Sequence, residues 1–150
     1  MRASWVIRTT AAIGAALLAG CLKPDEIEAR DAWVRLPAVP GRPASGYFTL
    51  TGGQVATTLI NVSADLAVRT EMHATMRGEG GAMTMRPLAG VPLPAEGQVR
   101  FAPGGRHLML FGVSPALKPG GSTVLTFTFA DGSRLQRKAW AIGAGDPAPE

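Results

Sequence analysis

The chain has 150 residues, of which 46% are hydrophobic and 17% are charged. This length favours a single domain, and this share of apolar residues excludes a wholly disordered chain. The formal net charge is +4, but the cations are scattered and form no basic stripe interleaved with aromatic residues, which argues against a nucleic-acid-binding protein. Nineteen glycines and twelve prolines predict many turns and few long helices.

Residues 1–20 have the pattern of an export signal. Arg2 and Arg8 precede a small apolar run over 11–19, which is far shorter than the ~20 residues of a membrane-spanning helix. The run leads into Leu-Ala-Gly-Cys at 18–21, which resembles the bacterial lipobox, where the cysteine receives a diacylglyceryl group. Cys21 is also the only cysteine of the chain. We predict a lipoprotein-type signal peptide and lipidation of Cys21; the alternative is an ordinary secretory signal followed by an accidental thiol.

The rest of the chain divides into a tether, one domain and a tail. The lipidated cysteine and a polar tether occupy 21–31, and the absence of an apolar period over 143–150 predicts a flexible tail. Over 32–142, short alternating segments separated by turn residues indicate an all-β sandwich or barrel. The pair Asp131-Gly132 predicts a tight hairpin with positive φ angles. The predicted strands are 32–36, 46–51, 57–62, 68–73, 82–88, 98–101, 107–112, 123–129 and 134–142.

The histidines and most of the methionines are concentrated in one part of this domain. Side chains two apart in a strand share a face, so His107 and Met109 are expected to point together while Leu108 and Leu110 enter the core. Met83 and Met85 share a face for the same reason. Both histidines and five of the six methionines of the chain lie between residues 72 and 109. They are Met72, His73, Met76, Met83, Met85, His107 and Met109.

Imidazole and thioether groups together favour a soft metal ion. Thioether sulfur is an uncharged donor that suits Cu(I), whereas zinc normally takes thiolate, imidazole or carboxylate ligands. A blue-copper centre requires a cysteine thiolate, and the single cysteine stands at the lipidation position. The alternative is that the methionines are flexible core filler and the histidines are structural, which is the commoner role of any one such residue. Composition and spacing within the strands leave both interpretations open.

The longer spacing resembles the His-(Met)-x10-Met-x21-His-x-Met signature of the PCu(A)C periplasmic copper chaperones. His73 is followed by eleven residues and Met85, and Met85 is followed by twenty-one residues and then His107-Leu108-Met109. Similar stretches of sequence, such as Gly-Tyr-Phe-Thr-Leu-Thr at 46–51, extend the resemblance from about residue 30 to residue 142.

The resemblance implies a cupredoxin-like Greek-key β-sandwich that binds copper as Cu(I) and is not an enzyme. It also implies four ligands, and Met83 is an alternative to Met85 in a flexible site. Two departures loosen the match without removing a ligand, because Ala74 occupies the optional methionine position and the segment 77–81 is rich in glycine. The implied ligands are His73, Met85, His107 and Met109.

The same resemblance carries an expectation about partners and location. The family is associated with copper supply to cytochrome c oxidase, often beside a Sco-type chaperone. We therefore expect a bacterial periplasmic copper chaperone that is held at a membrane through Cys21. Its partner would be a copper-accepting protein, either an oxidase subunit or a Sco-type chaperone. The alternative is a copper storage or detoxification protein without a dedicated acceptor. No Ser-His-Asp arrangement, carboxylate pair or phosphate-binding loop in the sequence indicates an enzyme.

Overall fold

The computed structural model describes residues 26–149, so the predicted signal peptide, Cys21 and the start of the tether lie outside it. Within this range the chain forms ten strands and a short 3₁₀ turn at Glu79–Gly81. No helix in these 124 residues is long and apolar enough to cross a membrane. The strands are β1 (Glu28–Arg35), β2 (Ala44–Thr51), β3 (Thr57–Ala64), β4 (Ala67–Arg77), β5 (Met83–Pro87), β6 (Val91–Leu93), β7 (Gln98–Phe101), β8 (Arg106–Val113), β9 (Ser122–Phe129) and β10 (Arg134–Ile142).

The strands form one hydrogen-bonded path in the order β5-β4-β8-β2-β1-β10-β9-β3-β6, with β7 paired to β2. The first and last strands, β1 and β10, pair in parallel in the middle of this path, and the other pairs described are antiparallel. The predicted all-β, single-domain architecture is confirmed. At one end of the path, β4 lies between β5 and β8, and this arrangement positions the candidate site.

The core is filled by alternate residues of the strands, as the period-two pattern predicts. In β9, every second residue from Thr123 to Phe129 is buried. Phe48 of β2 stacks on Phe101 of β7 with ring centroids 4.3 Å apart, and it meets Phe127 of β9 edge-on at 4.8 Å. Both geometries are favourable for aromatic pairs. This aromatic cluster joins strands that are distant in sequence.

The structure corrects the predicted start of the domain. β1 begins at Glu28 and residues 28–30 pair with β2, so residues 28–31 belong to the domain and not to the tether. The register shifts between Arg30 and Trp33, where Asp31 has a positive φ of 52°. This bulge leaves two consecutive residues exposed between the buried Ala29 and Ala32. Because a bulge interrupts the alternation of buried and exposed residues, the first half of the strand does not show a period of two.

The predicted hairpin at Asp131-Gly132 is present, but its turn differs from the one expected. Gly132 has a φ of 84°, whereas Asp131 is not among the residues with positive φ. The Gly132 amide donates to the Phe129 carbonyl at 2.9 Å and closes a four-residue turn over 129–132. Only the last residue of this turn, Gly132, has the left-handed conformation. Hydrogen bonds from the Ser133 hydroxyl and amide lower the pKa of Asp131 and keep its carboxylate as the acceptor in this turn.

Two further segments differ from the predictions. The short strand β6 was not predicted, because three residues centred on Pro92 give too little alternation, and proline is tolerated there because β6 ends the sheet path. The predicted flexible tail also differs, because its first residues, 143–146, are hydrogen-bonded to Arg35 of β1. The Arg35 guanidinium donates to the carbonyls of Gly143, Ala144 and Asp146 at 3.2, 3.2 and 2.7 Å.

Candidate metal-binding site

Strands β4 and β8 bring the two histidines together. His73 and His107 are directly opposite each other in the antiparallel register, and their ring centroids are 5.9 Å apart. His107 is 8% exposed and the His73 side chain is 14% exposed, so both imidazoles are largely withdrawn from water. Their neighbours Leu108 and Leu110 are fully buried on the other face of β8, as the alternation predicts.

Two methionines flank this pair from opposite corners. Met109 of β8 is opposite Glu71, and Met85 of β5 is opposite Thr75. Glu71 and Thr75 each lie two residues from His73 on β4, so each methionine is a diagonal neighbour of His73 on the same face. Diagonal neighbours are about 7 to 8 Å apart at the backbone, which long side chains can span.

The register also separates the remaining methionines from this pair. Met83 is opposite Arg77, so it lies two residues further along the strands from His73 than Met85 does. Both methionines are 57% exposed. Met72 is buried in the core, opposite Leu108. By the alternation of β4, Met76 falls on the face of Met72 and not on that of His73, and it is 49% exposed. Of the two candidates on β5, Met85 is therefore closer in register to the histidines.

The imidazoles have different hydrogen-bond partners. His107 Nδ1 lies 3.1 Å from the Gly105 carbonyl oxygen, and His73 Nε2 lies 2.9 Å from Glu71 Oε2. The other Glu71 oxygen forms an ion pair with Arg69. Among the buried side-chain nitrogen and oxygen atoms of residues 26–149, His73 Nδ1 alone lacks a hydrogen-bond partner. Glu71 is not among the residues predicted from the sequence, although the pattern Glu-x-His in a strand places both side chains on one face.

The carboxylate oxygens of Glu71 both have partners, so the donors that this face leaves available are uncharged. Within residues 26–149, no group of three or more His, Cys, Asp and Glu side chains is arranged to hold a metal ion. The available donors are two imidazoles and the flanking thioethers, which suit a soft ion such as Cu(I) better than a hard one. The unpartnered nitrogen of His73 is a buried atom that such an ion would satisfy.

The architecture is that of the cupredoxin-like β-sandwiches. The chain superposes on the structure described as "Copper-bound PCuAC domain from PmoF2" with a TM-score of 0.64 and 20% identity, covering 79% of this chain and 93% of that one. It also superposes on the solution structure of CuI-DR1885 from Deinococcus radiodurans with a TM-score of 0.60 and 26% identity, covering 83% of each chain. The predicted cupredoxin-like fold is confirmed.

The protein itself belongs to the family described as "Putative lipoprotein LpqE-like", whose model matches residues 27–140. It is also 28% identical over 109 residues to "Putative lipoprotein Lxx21020" of Leifsonia xyli subsp. xyli. That alignment covers 73% of this chain and 65% of the relative, so the chain spans slightly less than two thirds of the length of the curated relative it matches.

Proposed function

We propose that this protein is an extracytoplasmic, lipid-anchored Cu(I) chaperone that delivers copper to a membrane cuproenzyme such as cytochrome c oxidase. In this proposal His73, Met85, His107 and Met109 bind the ion. The observation that carries the proposal is the direct pairing of the two histidines on a sheet face where both methionines are diagonal neighbours of His73. A copper-accepting membrane protein or a Sco-type chaperone would be the recipient.

The distance between the two imidazoles suits one shared ion. An ion about 2 Å from one nitrogen of each ring would lie about 3 Å from each ring centre. Two rings whose centres are about 5 to 6 Å apart can then bind the same ion at an open angle, and the observed separation is 5.9 Å. The separation of the two rings is therefore compatible with one shared ion, which Met85 and Met109 would approach from the diagonal positions.

The exposure of the site supports a carrier that releases its metal. Four neutral ligands leave Cu(I) with a single positive charge, and they hold it less firmly than thiolates would. Met85 is 57% exposed and lies on β5, which ends the sheet path. A ligand of an acceptor can therefore approach the ion from the side of Met85 while the two largely buried histidines still hold it.

The related proteins support both the metal and the anchor. The structures of CuI-DR1885 and of the PmoF2 domain are described as copper-bound forms of those proteins. Membership of a lipoprotein family supports lipidation at Cys21, the only cysteine, which follows a signal-like segment. The proposal that copper is carried to a membrane recipient rests on this combination.

A matched pair of methionine variants tests the ligand set. In a chain that starts at residue 22, which keeps every strand, Met85→Leu is expected to weaken Cu(I) binding by about tenfold, whereas Met83→Leu changes it little. Leucine keeps the volume of methionine and removes only the sulfur, so the comparison isolates the thioether. The measurement is an anaerobic titration against a competing Cu(I) chelator. The reverse order of effects would assign the site to Met83, and a wild-type chain that does not compete for copper would overturn the proposed function.

The lipid anchor has a separate test in cells. A Cys21→Ser protein that is exported but soluble is expected to support oxidase assembly less well than the wild type, because confinement to a membrane raises the effective concentration of the chaperone near its recipient. The measurement is oxidase activity under copper limitation, with both proteins present at equal amounts. Equal activity would show that delivery does not need the anchor.

A further inference from the structure

We propose that Glu71 is a positioning residue that selects the nitrogen through which His73 binds Cu(I). In this arrangement the ion is bound through Nδ1 of His73 and through Nε2 of His107. The inference rests on the proposed function, since it concerns the same metal ion. It goes beyond that function because it assigns a role to a carboxylate outside the ligand set and makes the two histidines chemically different.

The hydrogen bond of His107 identifies its free nitrogen. The partner of His107 Nδ1 is the Gly105 carbonyl oxygen at 3.1 Å, and a carbonyl oxygen can only accept. Nδ1 therefore carries the proton. In a neutral imidazole the other nitrogen, Nε2, then has the lone pair that a metal needs.

The same reasoning gives the opposite result for His73. Its Nε2 lies 2.9 Å from the Glu71 carboxylate, which accepts a hydrogen bond, so Nε2 carries the proton and Nδ1 has the lone pair. That Nδ1 is buried and has no hydrogen-bond partner. Leaving a buried polar atom without a partner costs stability, and a bound ion would remove that cost. The two observations on His73 are independent, and both point to Nδ1.

The position of Glu71 is itself fixed by its neighbours. Arg69, Glu71 and His73 occupy alternate positions on β4 and therefore share the face that carries the site. Arg69 pairs with the second oxygen of Glu71, and its guanidinium lies 4.1 Å from the ring centre of Phe111, the residue opposite it on β8. An arginine held over an aromatic ring thus orients the carboxylate that orients His73.

Glu71 acts through His73 and not as a ligand. A carboxylate is a hard donor that suits Cu(I) poorly. Both of its oxygens also have partners in the structure, one in His73 and the other in Arg69. Carboxylates that accept a hydrogen bond from a metal-binding histidine typically contribute about 10- to 100-fold to metal affinity by fixing the orientation of the ring.

Nitrogen NMR of the histidine rings tests this assignment, because Cu(I) is diamagnetic and each ring nitrogen can be observed. The chain from residue 22 is labelled with ¹⁵N-histidine and studied at about pH 8, above the usual histidine range. On addition of Cu(I), the coordination shift is expected at Nδ1 of His73 and at Nε2 of His107. Glu71→Ala is expected to lose the preference for Nδ1 and to weaken Cu(I) binding by about 10- to 100-fold. Glu71→Gln is expected to retain Nδ1 binding, since its amide oxygen can accept the same hydrogen bond.

The control is Glu79→Ala, which removes an exposed carboxylate from the connection between β4 and β5 and is expected to leave the spectrum and the affinity unchanged. A coordination shift at Nε2 of His73 in the wild type would overturn the inference and leave the proposed function intact. So would a Glu71→Ala protein that binds copper through Nδ1 with wild-type affinity. If neither histidine of the wild type shifts, the proposed function itself fails, and the inference fails with it.

Discussion

Replacing His107 by alanine is expected to weaken Cu(I) binding by more than about 100-fold, which exceeds the usual effect of removing a supporting residue. His107 is 8% exposed and directly opposite His73, so its loss leaves one imidazole and two diagonal thioethers. These methionines lie at opposite corners of the histidine pair and cannot replace a nitrogen donor at its centre. The measurement is a competition titration with a Cu(I) chelator under anaerobic reducing conditions.

The matched control is Arg106→Ala, the preceding residue on β8. Arg106 is exposed, and the alternation of the strand places it on the face opposite His107. This variant should bind copper as the wild type does. Thermal unfolding of both apo-proteins separates loss of a ligand from loss of structure. A folded His107→Ala protein with wild-type affinity would show that the ion is held elsewhere.

Replacing Phe48 by alanine is expected to lower the free energy of unfolding by about 3 to 5 kcal/mol. Phe48 is 1% exposed and contacts both Phe101 and Phe127, so the substitution opens a cavity where three strands meet. Domains of this size are stable by about 5 to 15 kcal/mol, and the loss is therefore a large fraction of the total. The expected decrease in melting temperature is roughly 10 to 25 °C.

Val55→Ala is the control for this measurement, because Val55 is 80% exposed and should change stability by no more than about 0.5 kcal/mol. Urea denaturation followed by tryptophan fluorescence gives both values. A Phe48→Ala protein as stable as the control would mean that the aromatic cluster is not the centre of the core.

Local patterns predicted most of the strands, because alternation and turn residues are properties of neighbouring positions. The strands β7 and β10 have the predicted bounds, 98–101 and 134–142. The pattern failed where pairing with distant residues overrides it. In β1, the bulge at Asp31 breaks the alternation, and β6 is defined by its partner β3 rather than by its own three residues.

The candidate site was partly accessible from sequence for the same reason. The alternation of β8 predicted that His107 and Met109 share a face. That His73 lies opposite His107 depends on the register between β4 and β8, which local sequence does not determine. The choice between Met83 and Met85 likewise came only from the spacing of a resembling family, whereas the register gives a physical reason to favour Met85.

The parallel pairing of β1 with β10 affects how the protein folds. Trp33 is aligned with Trp140, so the first and last strands meet in the middle of the sheet path. The strand ladder that joins the two halves of the sheet path therefore requires residues from both ends of the domain, although β3 and β4 also pack together across the halves. Closing such a long loop before its contacts form is entropically costly, and folds dominated by non-local strand pairs form in milliseconds to seconds. The sheet path is therefore completed only when β10 pairs with β1, whereas the β4–β8 pair that brings the two histidines together lies within one half of the path.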